Sequence, residues 1–177
     1  MAALAAVAVY LEPYRYIRFI SFTEPFENFY GPGWQLSNAL IGIGRGEWLG
    51  LGLGNSLQKN LYLPEPHTDF IFAVIVEEFG LVGGLIVIFL FALLIIGIIR
   101  TSLKALELGK LFQGLLAFGA GILIAIQVVF NIGVNLGILP TKGLTLPFIS
   151  YGGTSLIIFM FLMGLVLRIN FENKSIK

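Results

Sequence analysis

The residues best suited to chemistry are ionisable side chains beside a long apolar run, in the segment LPEPHTDFIFAVIVEEFG from Leu63 to Gly80. A carboxylate at the edge of an apolar region is partly desolvated, which strengthens it as a base. We therefore predict that Asp69 acts as a general base. The alternative is a helix-start residue: Thr68 would be the N-cap, and the Asp69 charge would complement the helix dipole.

Two further carboxylates, Glu77 and Glu78, lie about two helical turns beyond Asp69. Ionisable groups at membrane depth usually face a cavity or a partner, and Glu77 lies nearer than Glu78 to the helix face of Asp69. The only histidine, His67, precedes this helix. Because a metal site needs several ligands, we predict that His67 is a hydrogen-bonding loop residue and not a metal ligand.

A second polar pattern consists of Gln127, Asn131 and Asn135, which are four residues apart and so form one stripe on a helix. The stripe either makes hydrogen bonds between packed helices or forms the polar wall of a groove. Lys142 follows the stripe. It is either an anchor at the membrane interface or a cation that holds a lipid phosphate.

A glycine array precedes the ionisable segment. Its members are Gly42, Gly44, Gly46, Gly50, Gly52 and Gly54. Their spacing matches neither the dinucleotide fingerprint nor the Walker phosphate loop. Two interpretations stay open: close contact between backbones, for which glycine is suited, or backbone N–H groups that bind a pyrophosphate.

The composition is that of a membrane protein. Of the 177 residues, 57% are hydrophobic and 12% are charged, against roughly 25% charged in an ordinary soluble domain. A soluble fold of this length leaves about a third of its chain surface exposed, so the apolar excess must face lipid. This excludes a soluble enzyme and a disordered chain, and the net charge of +1 argues against binding of nucleic acid.

Three long uncharged runs, at residues 79–99, 111–141 and 143–167, are each long enough to cross a bilayer. We therefore predict three complete membrane-spanning helices, at residues 70–99, 111–139 and 144–167. The other segments are the end of a truncated helix at 1–11, a large outer loop at 12–69 and a cytoplasmic tail at 168–177. Lys and Arg are concentrated between the first two spans and after the third, which places those connections in the cytoplasm. We therefore expect an all-α polytopic membrane protein, a single membrane domain that forms the C-terminal part of a larger chain.

Three motifs resemble the SEDS family (shape, elongation, division and sporulation) of cell-wall polymerases. They are LPEPHTDFIFAVIVEEFGLVG at Leu63–Gly83, NIGVNLGILPTKGLTLPFISYGGTSL at Asn131–Leu156, and the glycine array with Trp48, Ser56 and Lys59. The motifs follow the family's order and cover nearly the whole chain. Within the family, TKGLTLP at Thr141–Pro147 is similar to the cell-division branch and less so to the elongation branch.

The resemblance implies a ten-helix bundle, of which this chain supplies the end of the seventh helix, the outer loop and the last three helices. It implies a peptidoglycan glycosyltransferase that polymerises lipid II during bacterial cell division, in the cytoplasmic (inner) membrane at the septum. The implied partners are lipid II, a class B penicillin-binding protein and other divisome membrane proteins. The family's essential aspartate and motif lysine match Asp69 and Lys142. Without the first six helices, we expect the chain to be inactive.

An inverting displacement suits this reaction, because the donor sugar is α-linked to pyrophosphate and the product is β-linked. Asp69 would deprotonate the acceptor, and a cationic side chain or a divalent cation (Mg or Mn) would neutralise the pyrophosphate. The predicted substrate-binding residues are Lys142, Lys59, Arg45, His67 and Glu77. The alternatives are a lipid II flippase and a non-catalytic scaffold that recruits the penicillin-binding protein.

Overall fold

The computed structural model describes residues 22–27, 29–31, 33–59 and 67–175. Within these residues the chain forms four long helices and no β-strand. The helices are α1 (Trp34–Gly46), α2 (Ile71–Glu107), α3 (Leu111–Asn135) and α4 (Gly153–Lys174). The prediction of an all-α fold is confirmed. The truncated helix predicted at residues 1–11 lies outside the described residues.

Helices α2, α3 and α4 are long and apolar enough to cross a membrane, as the sequence predicts. Their bounds differ from the predicted spans. Helix α2 continues past residue 99 to Glu107, α3 ends at Asn135 instead of 139, and α4 begins at Gly153 instead of 144. Residues 136–152 form a loop instead of helix ends, because their prolines and glycines disfavour helix.

Helix α2 is broken at Gly80, whose φ of 73° and ψ of −175° are not helical. Its two parts, residues 71–79 and 81–107, fold against each other, since a Cβ built on Gly84 would lie 3.4 Å from the Phe72 ring. In a straight helix these two residues would be about 18 Å apart along the axis. The first predicted span is therefore a short helix packed beside a membrane-spanning one.

The segment that follows α1 supplies hydrogen bonds at this break. Leu51 donates its N–H to the Glu77 carbonyl at 3.0 Å, and Leu81 donates its N–H to the Glu47 carbonyl at 2.9 Å. Backbone groups left unpaired in an apolar region are costly. This pairing therefore fixes residues 47–52 against α2.

An apolar core and a polar contact at its far end hold the three spans together. The core includes Phe72, Phe91, Ile98, Ile124, Val128, Phe159 and Val166. At the far end, Asn173 Nδ2 donates to the Thr101 carbonyl at 3.1 Å, and Ser102 Oγ donates to the Gly114 carbonyl at 2.7 Å. The packing brings the end of α3 and the start of α4 beside the start of α2, where the candidate site lies.

Candidate functional site

Asp69 lies in the turn that precedes α2, and its backbone is held by α3. The Asp69 carbonyl accepts hydrogen bonds from Asn131 Nδ2 at 3.0 Å and from Asn135 Nδ2 at 2.9 Å. Both asparagines are buried, and both reach Asp69 because residues four apart share one face of a helix. The backbone of Asp69 is thus fixed, while the residue as a whole stays half-buried.

A side chain of α3 contributes to capping the start of α2. The helix begins at Ile71, and Phe70 at the N-cap position makes no capping hydrogen bond with its side chain. Asn135 Oδ1 instead accepts the backbone N–H of Ala73 at 3.0 Å, one of the groups that a helix start leaves unpaired. Thr68 therefore does not occupy the N-cap position that the sequence predicts for it.

The same face of α3 holds the loop of residues 136–152. Asn131 Nδ2 donates to the Leu144 carbonyl at 2.6 Å, and Gln127 Nε2 donates to the Thr145 carbonyl at 3.0 Å. All three amides of the predicted stripe thus bond to backbone carbonyls. This supports the packing interpretation of the stripe over an open polar wall.

The loop also bonds directly to the turn before α2. Ser150 Oγ donates to the Thr68 carbonyl at 2.6 Å, and Tyr151 donates its backbone N–H to the His67 carbonyl at 2.8 Å. Each carbonyl from His67 to Asp69 therefore accepts a hydrogen bond from α3 or from this loop. We call this set of bonds the clamp, because it fixes the turn and the loop to each other.

The clamp places the Asp69 carboxylate beside Gly143. A Cβ built on Gly143 would lie 3.2 Å from Asp69 Oδ2, so the absence of a side chain there allows the close approach. Lys142 directly precedes Gly143 and is exposed. Asp69, the predicted base, thus lies beside Gly143, and Gly143 directly follows Lys142, the predicted cation. The roles of Asp69 and Lys142 stay predictions.

An open cavity of about 460 Å³ adjoins the turn. It is lined by His67, by Ile71, by residues 148–153 and by Leu156. Its wall is polar at His67 and apolar at Ile71 and Leu156, a combination that fits an amphiphilic ligand. His67 thus lines this cavity, and its role in substrate binding stays a prediction.

The other predicted substrate-binding residues lie in a second cluster, about 9 Å along α2 from its start. Glu77 is fully buried; it accepts a hydrogen bond from Ser56 Oγ at 2.5 Å, and its Oε1 lies 3.6 Å from Arg45 Nη1. Lys59 Nζ lies 3.7 Å from Oε1 of Glu78. In this structure Arg45 and Lys59 therefore neutralise buried carboxylates.

The glycine array permits contact between backbones. A Cβ on Gly46 would collide with the Val76 carbonyl, and one on Gly50, whose φ is 79°, would collide with the Glu78 carbonyl. The Gly50 N–H donates to the Gly46 carbonyl at 2.8 Å, and the next two amides donate to α2. At Gly46 and Gly50 the structure thus supports the close-packing interpretation over the pyrophosphate one, whereas a Cβ on Gly44 or Gly54 would meet nothing within 4 Å.

In the described part of the chain, no group of three or more His, Cys, Asp or Glu side chains is arranged to bind a metal ion. The side chains described around Asp69 therefore do not make up a set of metal ligands by themselves. The divalent cation considered for the leaving group stays a prediction.

Comparison with known proteins gives one family. The family model of FtsW, RodA and SpoVE, described as a cell cycle protein, matches residues 1–175. The probable peptidoglycan glycosyltransferase FtsW of Marinomonas mediterranea is 52% identical over 175 residues, which are 98% of this chain and 43% of that protein. The equivalent protein of Pseudomonas fluorescens is 50% identical over 175 residues, with the same coverage.

The similarity extends to three dimensions. A chain solved in work on the structural coordination of polymerization and crosslinking by a peptidoglycan synthase complex superposes with a TM-score of 0.75. It is 32% identical in sequence, and the match covers 97% of the present chain and 46% of that one. The present chain therefore spans less than half the length of the proteins it matches.

Proposed function

This chain belongs to the FtsW/RodA/SpoVE family of cell cycle proteins, and on that premise we propose that it carries part of the active site of a peptidoglycan glycosyltransferase. The proposed reaction is the polymerisation of lipid II into glycan strands during bacterial cell division. The observation that carries the proposal is the clamp, which sets the Asp69 carboxylate beside Gly143, the neighbour of Lys142. The activity named for the curated relatives supports it.

In the proposed mechanism Asp69 is the general base. Its carboxylate accepts the proton of the acceptor hydroxyl, and the hydroxyl oxygen displaces pyrophosphate from the donor sugar with inversion. Lys142 supplies positive charge to the departing pyrophosphate. A retaining mechanism would need a second carboxylate about 5 Å from the first, and Glu77 is instead buried against Ser56 and Arg45.

The roles of the other predicted binding residues divide between the two clusters. His67 lines the cavity beside the turn, so we propose that it contacts the substrate. Arg45, Lys59 and Glu77 belong to the second cluster, for which we propose a structural role. A divalent cation (Mg or Mn) at the pyrophosphate stays the alternative to Lys142 for neutralising the leaving group, and no step is assigned to it.

The three spans and the family make this a multi-pass membrane protein. We further propose that it resides in the bacterial cytoplasmic membrane at the division septum. Its proposed partner is a class B penicillin-binding protein, which is supported by the similarity to a chain of a peptidoglycan synthase complex. The flippase alternative gains no support from the polar stripe, whose amides already bond to backbone carbonyls.

The decisive experiment replaces Asp69 by Asn in a full-length protein that carries this chain. Polymerisation of labelled lipid II, measured in the presence of the crosslinking partner, is expected to fall by about 10²–10⁴, the usual contribution of a general base. The matched control is Glu172→Gln, which removes a carboxylate at the opposite end of the helices, where Glu172 accepts from Arg168 at 2.8 Å. Near-normal polymer from a well-inserted Asp69→Asn protein would remove Asp69 from the mechanism.

A further inference from the structure

We propose that Asn131 is a positioning residue that sets the distance between the Asp69 carboxylate and Lys142. One carboxamide nitrogen of Asn131 joins the two chain segments that carry these groups. The catalytic consequence rests on the proposed function, whereas the geometric consequence can be measured without any activity.

The geometry gives each hydrogen of this nitrogen its own partner. Asn131 Nδ2 lies 3.0 Å from the Asp69 carbonyl and 2.6 Å from the Leu144 carbonyl. An amide NH₂ has two donors, so both are used, and the two acceptors belong to segments far apart in sequence. The residue is 1% exposed, which leaves little opportunity for water to replace either bond.

The Leu144 bond controls Lys142 because a tight turn connects the two residues. Leu144 donates its N–H to the Lys142 carbonyl at 2.7 Å, a three-residue turn centred on Gly143. Fixing the Leu144 carbonyl therefore fixes the orientation of the turn. This turn places Gly143 against the Asp69 carboxylate. Lys142 is the neighbour of Gly143 in the chain.

Asn131 is itself held rigidly. Its backbone carbonyl accepts a hydrogen bond from Asn135 Nδ2 at 2.9 Å, and Asn135 also binds the start of α2 through Ala73. Other bonds keep the loop on the protein when Asn131 is changed, namely those of Gln127 to Thr145 and of Ser150 to the Thr68 carbonyl. Loss of the Asn131 side chain should therefore loosen the turn around Gly143 without detaching the loop.

The geometric test uses a pair of introduced cysteines, Asp69→Cys and Gly143→Cys, because the chain has no cysteine of its own. The Cβ built on Gly143 lies 3.9 Å from Asp69 Cγ, so the two sulfurs can reach disulfide distance. We expect rapid disulfide formation under mild oxidation, and about tenfold slower formation when Asn131→Ala is added, since two buried hydrogen bonds are lost. An unchanged rate would overturn the proposal.

The matched control is Asn173→Ala. Asn173 is also a buried asparagine, 2% exposed, and its Nδ2 donates to a backbone carbonyl, that of Thr101, at the far end of the helices. The Asn173→Ala variant should lower the thermal stability of the protein without changing the rate at which the two introduced cysteines form their disulfide. Equal slowing by both variants would show that Asn131 acts only through general stability, and the proposal would fail.

The catalytic test measures kcat and KM in the full-length protein with native Asp69 and Gly143. We expect Asn131→Ala to lower kcat by about 10- to 100-fold with a much smaller change in KM, because misplacement of reacting groups affects the transition state most. Asn131→Leu, which is also neutral and lacks the NH₂ donors but fills the space better, should have the same effect and replaces the alanine variant if that fails to fold. If Asn131→Ala lowers kcat no more than Asn173→Ala does, the proposed effect of Asn131 on catalysis is overturned.

The two tests separate the proposal from the function on which it rests. If lipid II polymerisation is absent from the wild-type protein, the proposed function fails, while slower formation of the disulfide still supports Asn131 as the link. If the wild-type protein polymerises lipid II and Asn131→Ala changes neither the disulfide rate nor kcat, the positioning role fails and the proposed function stands.

Discussion

Two adjacent carboxylates, Glu77 and Glu78, show how the chain accommodates charge inside an apolar region. A buried carboxylate is costly unless it is paired and hydrogen-bonded. Glu77 has both kinds of partner, the Ser56 hydroxyl at 2.5 Å and the Arg45 guanidinium at 3.6 Å. Arg45 is therefore worth more to stability than its own partly exposed side chain suggests.

We predict that Arg45→Met destabilises the protein more than Arg45→Met combined with Glu77→Gln. The single variant leaves the Glu77 charge buried without its cation, a change that costs about 3–5 kcal/mol for a fully buried pair and less here because Arg45 is partly exposed. The double variant removes the charge, and the amide can still accept from Ser56. Thermal unfolding in detergent measures the difference.

The control for this comparison is Arg168→Met. Arg168 pairs with Glu172 one helical turn away at 2.8 Å, but its side chain is 69% exposed. An exposed pair contributes at most about 1 kcal/mol, so this variant should unfold close to the wild-type temperature. A double variant no more stable than Arg45→Met alone would contradict the view that Arg45 is needed mainly as the partner of Glu77.

The sequence predicts a site residue only where the residue type itself indicates a chemical role, as a charged side chain does. Asp69 and Lys142 are charged residues beside apolar runs, and the structure does bring the segments that carry them together. The sequence places Asn131 in a polar stripe of α3, but its two carbonyl partners depend on how the loop of residues 136–152 folds back onto the helices. Gly143 gave no signal, because its contribution is the absence of a side chain next to Asp69.

At the scale of elements, the decisive feature is the break in α2. Hydropathy predicts one continuous span there, and a lone glycine is tolerated in membrane helices. The break at Gly80 is stabilised by residues 47–52, which lie far away in sequence and pair with the opened helix. Periodicity within a window of sequence carries no information about such a partner, so the sequence predicted the span but not the fold-back.

We predict that Gly50→Ala destabilises the protein far more than Gly54→Ala. Both glycines have positive φ, 79° and 82°, so alanine pays the same left-handed penalty of about 1–2 kcal/mol at each. Only at Gly50 would the new Cβ also collide with the Glu78 carbonyl and the Gly80 nitrogen; at Gly54 it would meet nothing within 4 Å. Thermal unfolding and the yield of folded protein measure the difference.

The expected cost of Gly50→Ala is about 4 kcal/mol or more, which is in the range of severe core defects. Comparison with Gly54→Ala isolates the close approach of the backbones from the conformational preference, because both lie in the same loop. Similar stabilities of the two variants would mean that residues 47–52 do not pack tightly against the break in α2.

At the scale of the whole molecule, the helices keep wide apolar faces exposed. Phe89 on α2, Phe112 on α3 and Phe161 on α4 are 61%, 78% and 67% exposed. Exposed apolar faces of this size must be covered by lipid or by further protein. The three long uncharged runs in the sequence correspond to the three helices that are long and apolar enough to cross a membrane, whereas composition holds no information on which faces contact lipid.

Sidedness is a property of the whole chain that the distribution of charge predicts. Basic residues gather around the turn between α2 and α3, at Arg100, Lys104 and Lys110, and near the end of α4. The positive-inside rule predicts that these ends are cytoplasmic. The loop of residues 136–152 and the segment that follows α1 would then face the outside, together with Asp69.

We predict that single cysteines at Asn55 and Thr154 react with a membrane-impermeant maleimide in intact cells, whereas one at Glu107 reacts only after permeabilisation. All three positions are exposed, and the chain has no native cysteine. A cysteine at Gln58 is the control for burial, because that residue is 4% exposed although it lies in the same segment as Asn55. It should stay unlabelled in intact and permeabilised cells alike, which separates shielding by the protein from shielding by the membrane. Labelling of the Glu107 cysteine in intact cells, with none at Thr154, would invert the topology and place Asp69 on the cytoplasmic side.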